Sequence, residues 1–483
     1  MLLFEMNVRL LGKPLDQIAE EHVDRIAALG FDWVWLMGLW RIGPAAVEIS
    51  KHYGADFQGS PYAIAGYEVS PELGGDTALR AFVARAHRAG LKVMADFVPN
   101  HMSVDSPLID AHPEFAIHSN PELRPESPHD YFSHPKGHLA HGKDPYFPGW
   151  TDTVQLDYAH PDLRAYQTAT LARLAEMVDG VRCDMAMLVL REQVKQIWFP
   201  RVDQALFDHH YPREFWTDAI GATRARRRDF VFMAEVYWDK DPYLQSLGFD
   251  YTYDKKLYDL LSQGRLEDIH GYLSWAPPSY LSRCVHFLEN HDEERAAARF
   301  VGRTHAAAIL SYAIPGAVFV HQGQMEAYRE KLPVQRLRPL EHEVPDAREM
   351  VFYERLIARA KQPIFREGTL ASIGVQRGVL LVLRRHEDRV VLVGADPSSQ
   401  QRAASPELVL TREHLDLLGV PFEAALRAVD LWTSAPVEVT RGADHLRLGE
   451  GAIPSYGENQ AFMLELLRDQ GASALSTGPR SAS

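Results

Sequence analysis

The chain has 483 residues, is 46% hydrophobic and 24% charged, and carries a formal net charge of −14. A surface this acidic argues against nucleic acid or an anionic membrane as a partner, and no apolar run reaches the ~18 residues that a membrane helix needs. The length exceeds what one small core requires and suits a barrel of about 250 residues with insertions and an appended domain.

The first strand runs from Leu2 to Val8. It has no basic region before it and no small-residue cleavage site after it, so it reads as a strand rather than a secretion signal, and a cytoplasmic location is expected. Leu15 to Leu29 follows as a helix that Gly30 ends. Trp33 to Met37 is the next strand. Asp76 is expected to cap a helix whose apolar face is Leu79, Phe82, Val83 and Ala86, with Gly90 as its stop. Val93 to Phe97 is the third strand. Five more follow: Gly180 to Cys183, Phe230 to Ala234, Phe249 to Tyr253, Cys284 to Leu288 and Ala317 to His321. Eight strands alternating with helical segments predict a parallel (β/α)8 barrel of the α/β class, with its function at the C-terminal strand ends. Cys183 and Cys284 both fall in apolar strand-like segments, so no disulfide framework is implied.

One connection is far longer than the rest. From Met102 to Asp157 the chain shows no clear periodicity and is rich in Pro, His and Asp, which predicts an inserted subdomain at residues 102–157 over the barrel mouth. The barrel then occupies 1–101 and 158–362. Residues 363–468 read as a C-terminal all-β domain, with a hairpin around His386-Glu387-Asp388. The Ser-, Gly- and Ala-rich tail, 469–483, is expected to be disordered.

Four strand ends carry polar strings: Asp96-Phe97-Val98-Pro99-Asn100-His101, Arg182-Cys183-Asp184, Glu235-Val236-Tyr237-Trp238 and Glu289-Asn290-His291-Asp292. Any one of them has an ordinary structural explanation. Four converging on one mouth do not, because burying unpaired carboxylates is costly. Arg182 and Asp184 sit two apart on a strand and so share a face. A guanidinium there is expected to lower the Asp184 pKa and keep it ionised. Glu235 has apolar neighbours, Ala234, Val236 and Tyr237, which are expected to raise its pKa. The insert holds His129, His134, His138 and His141 near Asp130 and Asp144. Pro135 and Gly137 break any helix that could align them and no Cys joins them, so solvated or sugar-facing histidines are expected rather than zinc.

These four strings, in this order, resemble the conserved regions of the α-amylase family of glycoside hydrolases (family 13 type). Gly59-Ser60-Pro61-Tyr62 with Glu72-Leu73-Gly74-Gly75-Asp76, Val154-Gln155-Leu156-Asp157, and Pro315-Gly316 with Gln322-Gly323 add to the resemblance, which covers roughly residues 1–362. It implies a retaining barrel enzyme acting on α-glucans or short maltooligosaccharides through a covalent glycosyl-enzyme. Asp184 would be the nucleophile, Glu235 the general acid/base and Asp292 the transition-state stabiliser. Arg182 would hold Asp184; His101, His291 and Tyr62 would bind the sugar at the cleavage point; Asp96 would be a central structural acid. Trp238, three residues after Glu235, reads equally as an aromatic platform for the leaving sugar or as a core residue. No cofactor is required, although a structural calcium at Asn100 and Asp157 is compatible with the family pattern. Two alternatives stand beside this reading: a transglycosidase of the same family (a glucanotransferase, or a trehalose- or sucrose-active member), and a catalytically inactive carbohydrate-binding barrel. The chain departs from many starch-degrading members in having Met185-Ala186-Met187 after the nucleophile and Gln324-Met325-Glu326 after Gly323. The oligomeric state is left open.

Overall fold

Eight parallel strands close the barrel in the computed structural model, which describes residues 1–398, 404–417 and 426–468. They are β1 (Leu2–Asn7), β2 (Trp33–Met37), β3 (Lys92–Phe97), β4 (Gly180–Cys183), β5 (Val231–Ala234), β6 (Tyr251–Tyr253), β7 (Cys284–His286) and β8 (Ala317–His321). Each pairs with its sequence neighbours, and β8 closes on β1. The chain divides into two compact units. One holds Met1–Lys255, Ser282–Ala298 and Gly316–Ile357; the other holds Lys256–Leu281, Arg299–Pro315 and the described residues from Ala358 onward. The whole barrel sheet lies in the first unit. Among the described residues, no helix is long and apolar enough to cross a membrane.

Local sequence explains most element ends. The helix Leu15–Leu29 buries Leu15, Ile18, Val23 and Ile26 and stops at Gly30, whose φ of 104° a side chain would oppose. The helix expected behind an Asp76 cap instead spans Gly75–Arg88. Gly74 and Gly75, at φ 87° and 68°, turn the chain into the helix earlier than Asp76. Asp76 then lies in the first turn, where its carboxylate accepts from the Val69 N–H at 3.3 Å and suits the positive helix end.

The insert contains structure that its composition hides. His101–Ser103 pairs antiparallel with Thr153–Gln155, tying the two ends of the insert together, and Tyr131–His134 pairs with Gly137–Ala140. Ile117, Tyr131 and Ala140 bury a small cluster with Trp198. The second unit carries a six-stranded antiparallel sheet. Its order is Thr369–Gln376, Val379–His386, Arg389–Ala395, Ala461–Arg468, Leu426–Asp430 and Pro436–Val437. The expected hairpin is there: His386 pairs with Arg389, and Glu387 takes the left-handed turn at φ 53°. Leu408–Thr411, His445–Leu448 and Val439–Arg441 form a three-stranded sheet. The expected disordered tail lies outside the described residues.

The barrel floor beneath the strand ends is aromatic. Phe319 of β8 stacks on Phe287 with ring centroids 4.9 Å apart, and meets Trp35 of β2 at 6.2 Å and Tyr253 of β6 at 5.4 Å. Polar groups above this floor are cut off from water on one side, which strengthens every charge interaction among them.

Candidate active site

Arg182 organises the mouth. It is fully buried on β4, and its guanidinium lies over the rings of Trp35, Tyr62 and Tyr253 at 5.2, 5.3 and 5.8 Å. A buried cation needs partners, and three acids supply them. Nη1 is 2.8 Å from Asp184 Oδ1 and 3.5 Å from Asp96 Oδ1. Nη2 is 2.8 Å from Glu235 Oε2, off the N–H line, so this contact is an ion pair rather than a good hydrogen bond. Nε donates to Tyr253 Oη at 3.3 Å. The register accounts for the gathering: Arg182 faces Asp96 across the β3–β4 ladder, and Asp184 and Glu235 follow the paired residues Cys183 and Ala234 on β4 and β5.

The carboxylates differ in environment. Glu235 is buried; Oε2 accepts from the Met185 N–H at 2.7 Å and Oε1 from the Tyr237 hydroxyl at 2.9 Å. Burial pushes its carboxyl up to about 7 against the pull of Arg182, and the negative charges of Asp184 and Asp292 push the same way. Asp184 corrects the expectation drawn from its spacing. Arg182 does pull its pKa down, but burial and Asp292 outweigh that pull, and the net shift is upward. Asp96 is pushed by burial to about 7 against the pull of Arg182. Asp292 goes the other way. Its side chain keeps 47% of its surface open; burial acts to raise its pKa, but the charge and hydrogen bond of His291 hold it well below the usual carboxylate range.

His291 links this set to β1. Its Nδ1 lies 2.5 Å from Glu5 Oε1; its Nε2 lies 3.0 Å from Asp292 Oδ2 and 2.8 Å from Tyr62 Oη. Burial opposes its charge, yet Asp292 and Glu5 on opposite nitrogens keep it protonated well above the ordinary histidine range. The Tyr62 ring stacks on it at 5.4 Å. His101 sits edge-on to Trp150, ring centroids 5.0 Å apart. Burial pushes it down to about 4, so its imidazole is neutral at pH 7. Three residues past Glu235, Trp238 adopts a left-handed φ of 60°, which is rare and strained for a side chain of this size. It meets the exposed ring of Tyr146 from the insert at 5.3 Å.

The structure thus brings Asp184, Glu235, Asp96, Arg182, Asp292, His291 and Tyr62 into one connected cluster. The pair expected to suit calcium fits less well. Asn100 exchanges hydrogen bonds with Gln155 through both ends of its amide, at 3.2 and 3.0 Å. Asp157 Oδ1 accepts from the Ala159 N–H at 2.9 Å, and burial pushes that carboxyl up to about 6. Calcium takes six to eight oxygen ligands. Among the described residues no three His, Cys, Asp or Glu side chains converge as a metal site, and that covers the insert histidines. Met185-Ala186-Met187 also reads differently in three dimensions: Ala186 and Met187 are fully buried, and Trp216 Nε1 donates to the Ala186 carbonyl at 2.9 Å.

Sequence reasoning missed two participants. Glu5 carries the one charge in the strand Leu2–Asn7, and a lone acid in a buried barrel strand is the signal that could have found it. Tyr237 is more than an apolar neighbour of Glu235: its spacing of two places it on the same side of an extended segment.

Comparison with known proteins identifies the family. A model of the alpha-amylase catalytic domain matches residues 15–350. Alpha-amylase MalA of Haloarcula japonica is 26% identical over 342 residues, covering 67% of this chain and 43% of that protein. The alpha-1,4-glucan:maltose-1-phosphate maltosyltransferase of Rhodospirillum rubrum is 28% identical over 239 residues, covering 47% and 30%. The chain therefore spans less than half the length of these curated relatives. A noncanonic maltogenic alpha-amylase, AmyB from Thermotoga neapolitana, superposes with a TM-score of 0.73 at 22% identity, over 96% of this chain and 98% of that one. With the catalytic-domain model spanning all eight barrel strands but β1, the chain belongs to the alpha-amylase family of glycoside hydrolases.

Proposed function

We propose that the chain is a retaining enzyme that acts on α-glucosidic bonds of α-glucans or short maltooligosaccharides. One observation carries this: two buried carboxyl groups from adjacent strands, Asp184 and Glu235, share the Arg182 guanidinium, and Glu235 is the one pushed to about 7. Glu235 protonates the glycosidic oxygen while Asp184 attacks the anomeric carbon. Asp292, ionised beside His291, stabilises the positive charge that develops on the sugar. Glu235, now a carboxylate, then takes a proton from the water or sugar hydroxyl that releases the glycosyl-enzyme. Two inversions give net retention. NMR of the reducing end newly formed from maltotriose is expected to show the α-anomer first; an initial β-anomer would overturn the nucleophile assignment.

Transfer to a sugar acceptor is the second reading, and the leaving-group side favours it. Trp238 and the exposed Tyr146 offer ring surface there, while the Met185 backbone N–H is already bound to Glu235. Ring contacts hold a sugar without selecting strongly, at about 1–3 kcal/mol each. Trp40 adds nothing to such a surface: it is buried and donates Nε1 to the Asp96 carbonyl at 2.7 Å. Few subsites on this side predict that kcat/KM levels off after maltotriose and is lower for amylose. A steady rise through maltoheptaose to amylose would reveal an open, many-subsite cleft. Product sizes in the same assay separate hydrolysis from transfer. The two cysteines are buried free thiols, which suits a reducing, cytoplasmic setting.

A further inference from the structure

We infer that Tyr237 is a positioning residue for Glu235, donating to the oxygen that delivers the proton and so easing its release; this rests on the acid role proposed for Glu235. The argument is one of donors and acceptors. Oε2 faces the Met185 N–H at 2.7 Å and Arg182 Nη2 at 2.8 Å. A backbone amide only donates, so a proton on Oε2 would point at the Met185 N–H, and the guanidinium charge beside it favours a bare oxygen there. Oε1 meets the Tyr237 hydroxyl alone, at 2.9 Å. One Oε1 lone pair accepts from Tyr237, and the other is left for the catalytic proton.

The step balances. The Oε1–H proton moves to the glycosidic oxygen as the bond from that oxygen to the anomeric carbon breaks. The electron pair of the Oε1–H bond stays on Glu235, and the leaving sugar departs with a neutral hydroxyl. Tyr237 then donates to the oxygen that has just become charged, a stronger bond than the one it made to the acid. In the second step the incoming water or hydroxyl returns a proton to Oε1. Tyr237 thus favours the ionised state of Glu235 and makes it a stronger acid than its burial alone would allow. The other ionisable groups facing Glu235 are Arg182 and Asp184 from β4, Asp292 beyond β7 and Tyr253 of β6. None of them contacts Oε1 among the described hydrogen bonds.

The test is the pH dependence of kcat/KM for Tyr237→Phe, on maltotriose and on a nitrophenyl α-maltoside. The alkaline limb, which reports loss of the Glu235 proton, is expected to move up by about one pH unit. Turnover of maltotriose is expected to fall about tenfold, and that of the activated substrate less. An unmoved limb with equal loss on both substrates, in a protein that melts like the wild type, overturns the inference. Trp238→Phe alters the neighbouring ring and spares the hydroxyl; if it moves the limb as far, the hydroxyl is not the cause and the inference also falls. If Tyr237→Phe melts early, 3-fluorotyrosine at position 237 replaces it. The stronger donor is expected to move the limb down, and an unmoved limb overturns the inference. Glu235→Ala separates the two levels. Retained turnover of maltotriose removes the acid role itself; collapse of turnover beside an unmoved Tyr237→Phe limb removes only the part given to Tyr237.

Discussion

Replacing Asp184 by Ala is expected to abolish turnover of every α-glucoside, with kcat falling by at least about 10⁴-fold. The effect is this large because no other group can form the glycosyl-enzyme. Glu235 is committed to Met185 and Tyr237, and Asp292 is held at His291 Nε2. Activated substrates should not rescue the variant, since a better leaving group does not replace a missing nucleophile. The fold should survive. Arg182 loses one partner but keeps Glu235 at 2.8 Å and Asp96 at 3.5 Å, so the cost is expected to stay below the ~3–5 kcal/mol of stranding a buried charge. Denaturant melts beside the kinetics check both halves. An Asp184→Ala protein that melts normally yet retains activity would sink the proposed site.

Much of this was written in the sequence, and the parts that were not have physical reasons. The strand ends were legible because apolar runs such as Trp33–Met37 end abruptly in charge, and the barrel order turns eight such ends toward one mouth. The paired strands at the ends of the insert were not, because a three-residue ladder such as His101–Ser103 with Thr153–Gln155 is set by long-range pairing, not by local periodicity. The sign of the Asp184 shift was misjudged for a related cause. Spacing shows that Arg182 is near, but not that Asp292 and a dry aromatic floor are near as well. Glu5 lies 286 residues from His291 in the chain, and only closure of β8 on β1 brings them together.

Replacing Glu235 by Ala is expected to split substrates by leaving group. Maltotriose needs its glycosidic oxygen protonated, so kcat/KM should fall by about 10³-fold or more. A nitrophenyl α-maltoside needs little protonation, so its first step should proceed and release nitrophenol in a burst. The second step then lacks its base, and the glycosyl-enzyme should accumulate and be visible by mass spectrometry. The pH profile follows with a definite sign. Glu235 is pushed by burial to about 7 and acts in its neutral form. In the wild type, kcat/KM is therefore high below pH 7 and falls as pH rises through it. On the acid side, activity fails when Asp184 takes a proton, above the ordinary aspartate range because burial raises that group too. In the Glu235→Ala protein the alkaline limb should disappear for the nitrophenyl substrate while the acid limb remains. Equal losses on both substrates, with no burst, would show that Glu235 is not the acid, and the proton would have to come from Asp96, the other buried carboxyl pushed to about 7.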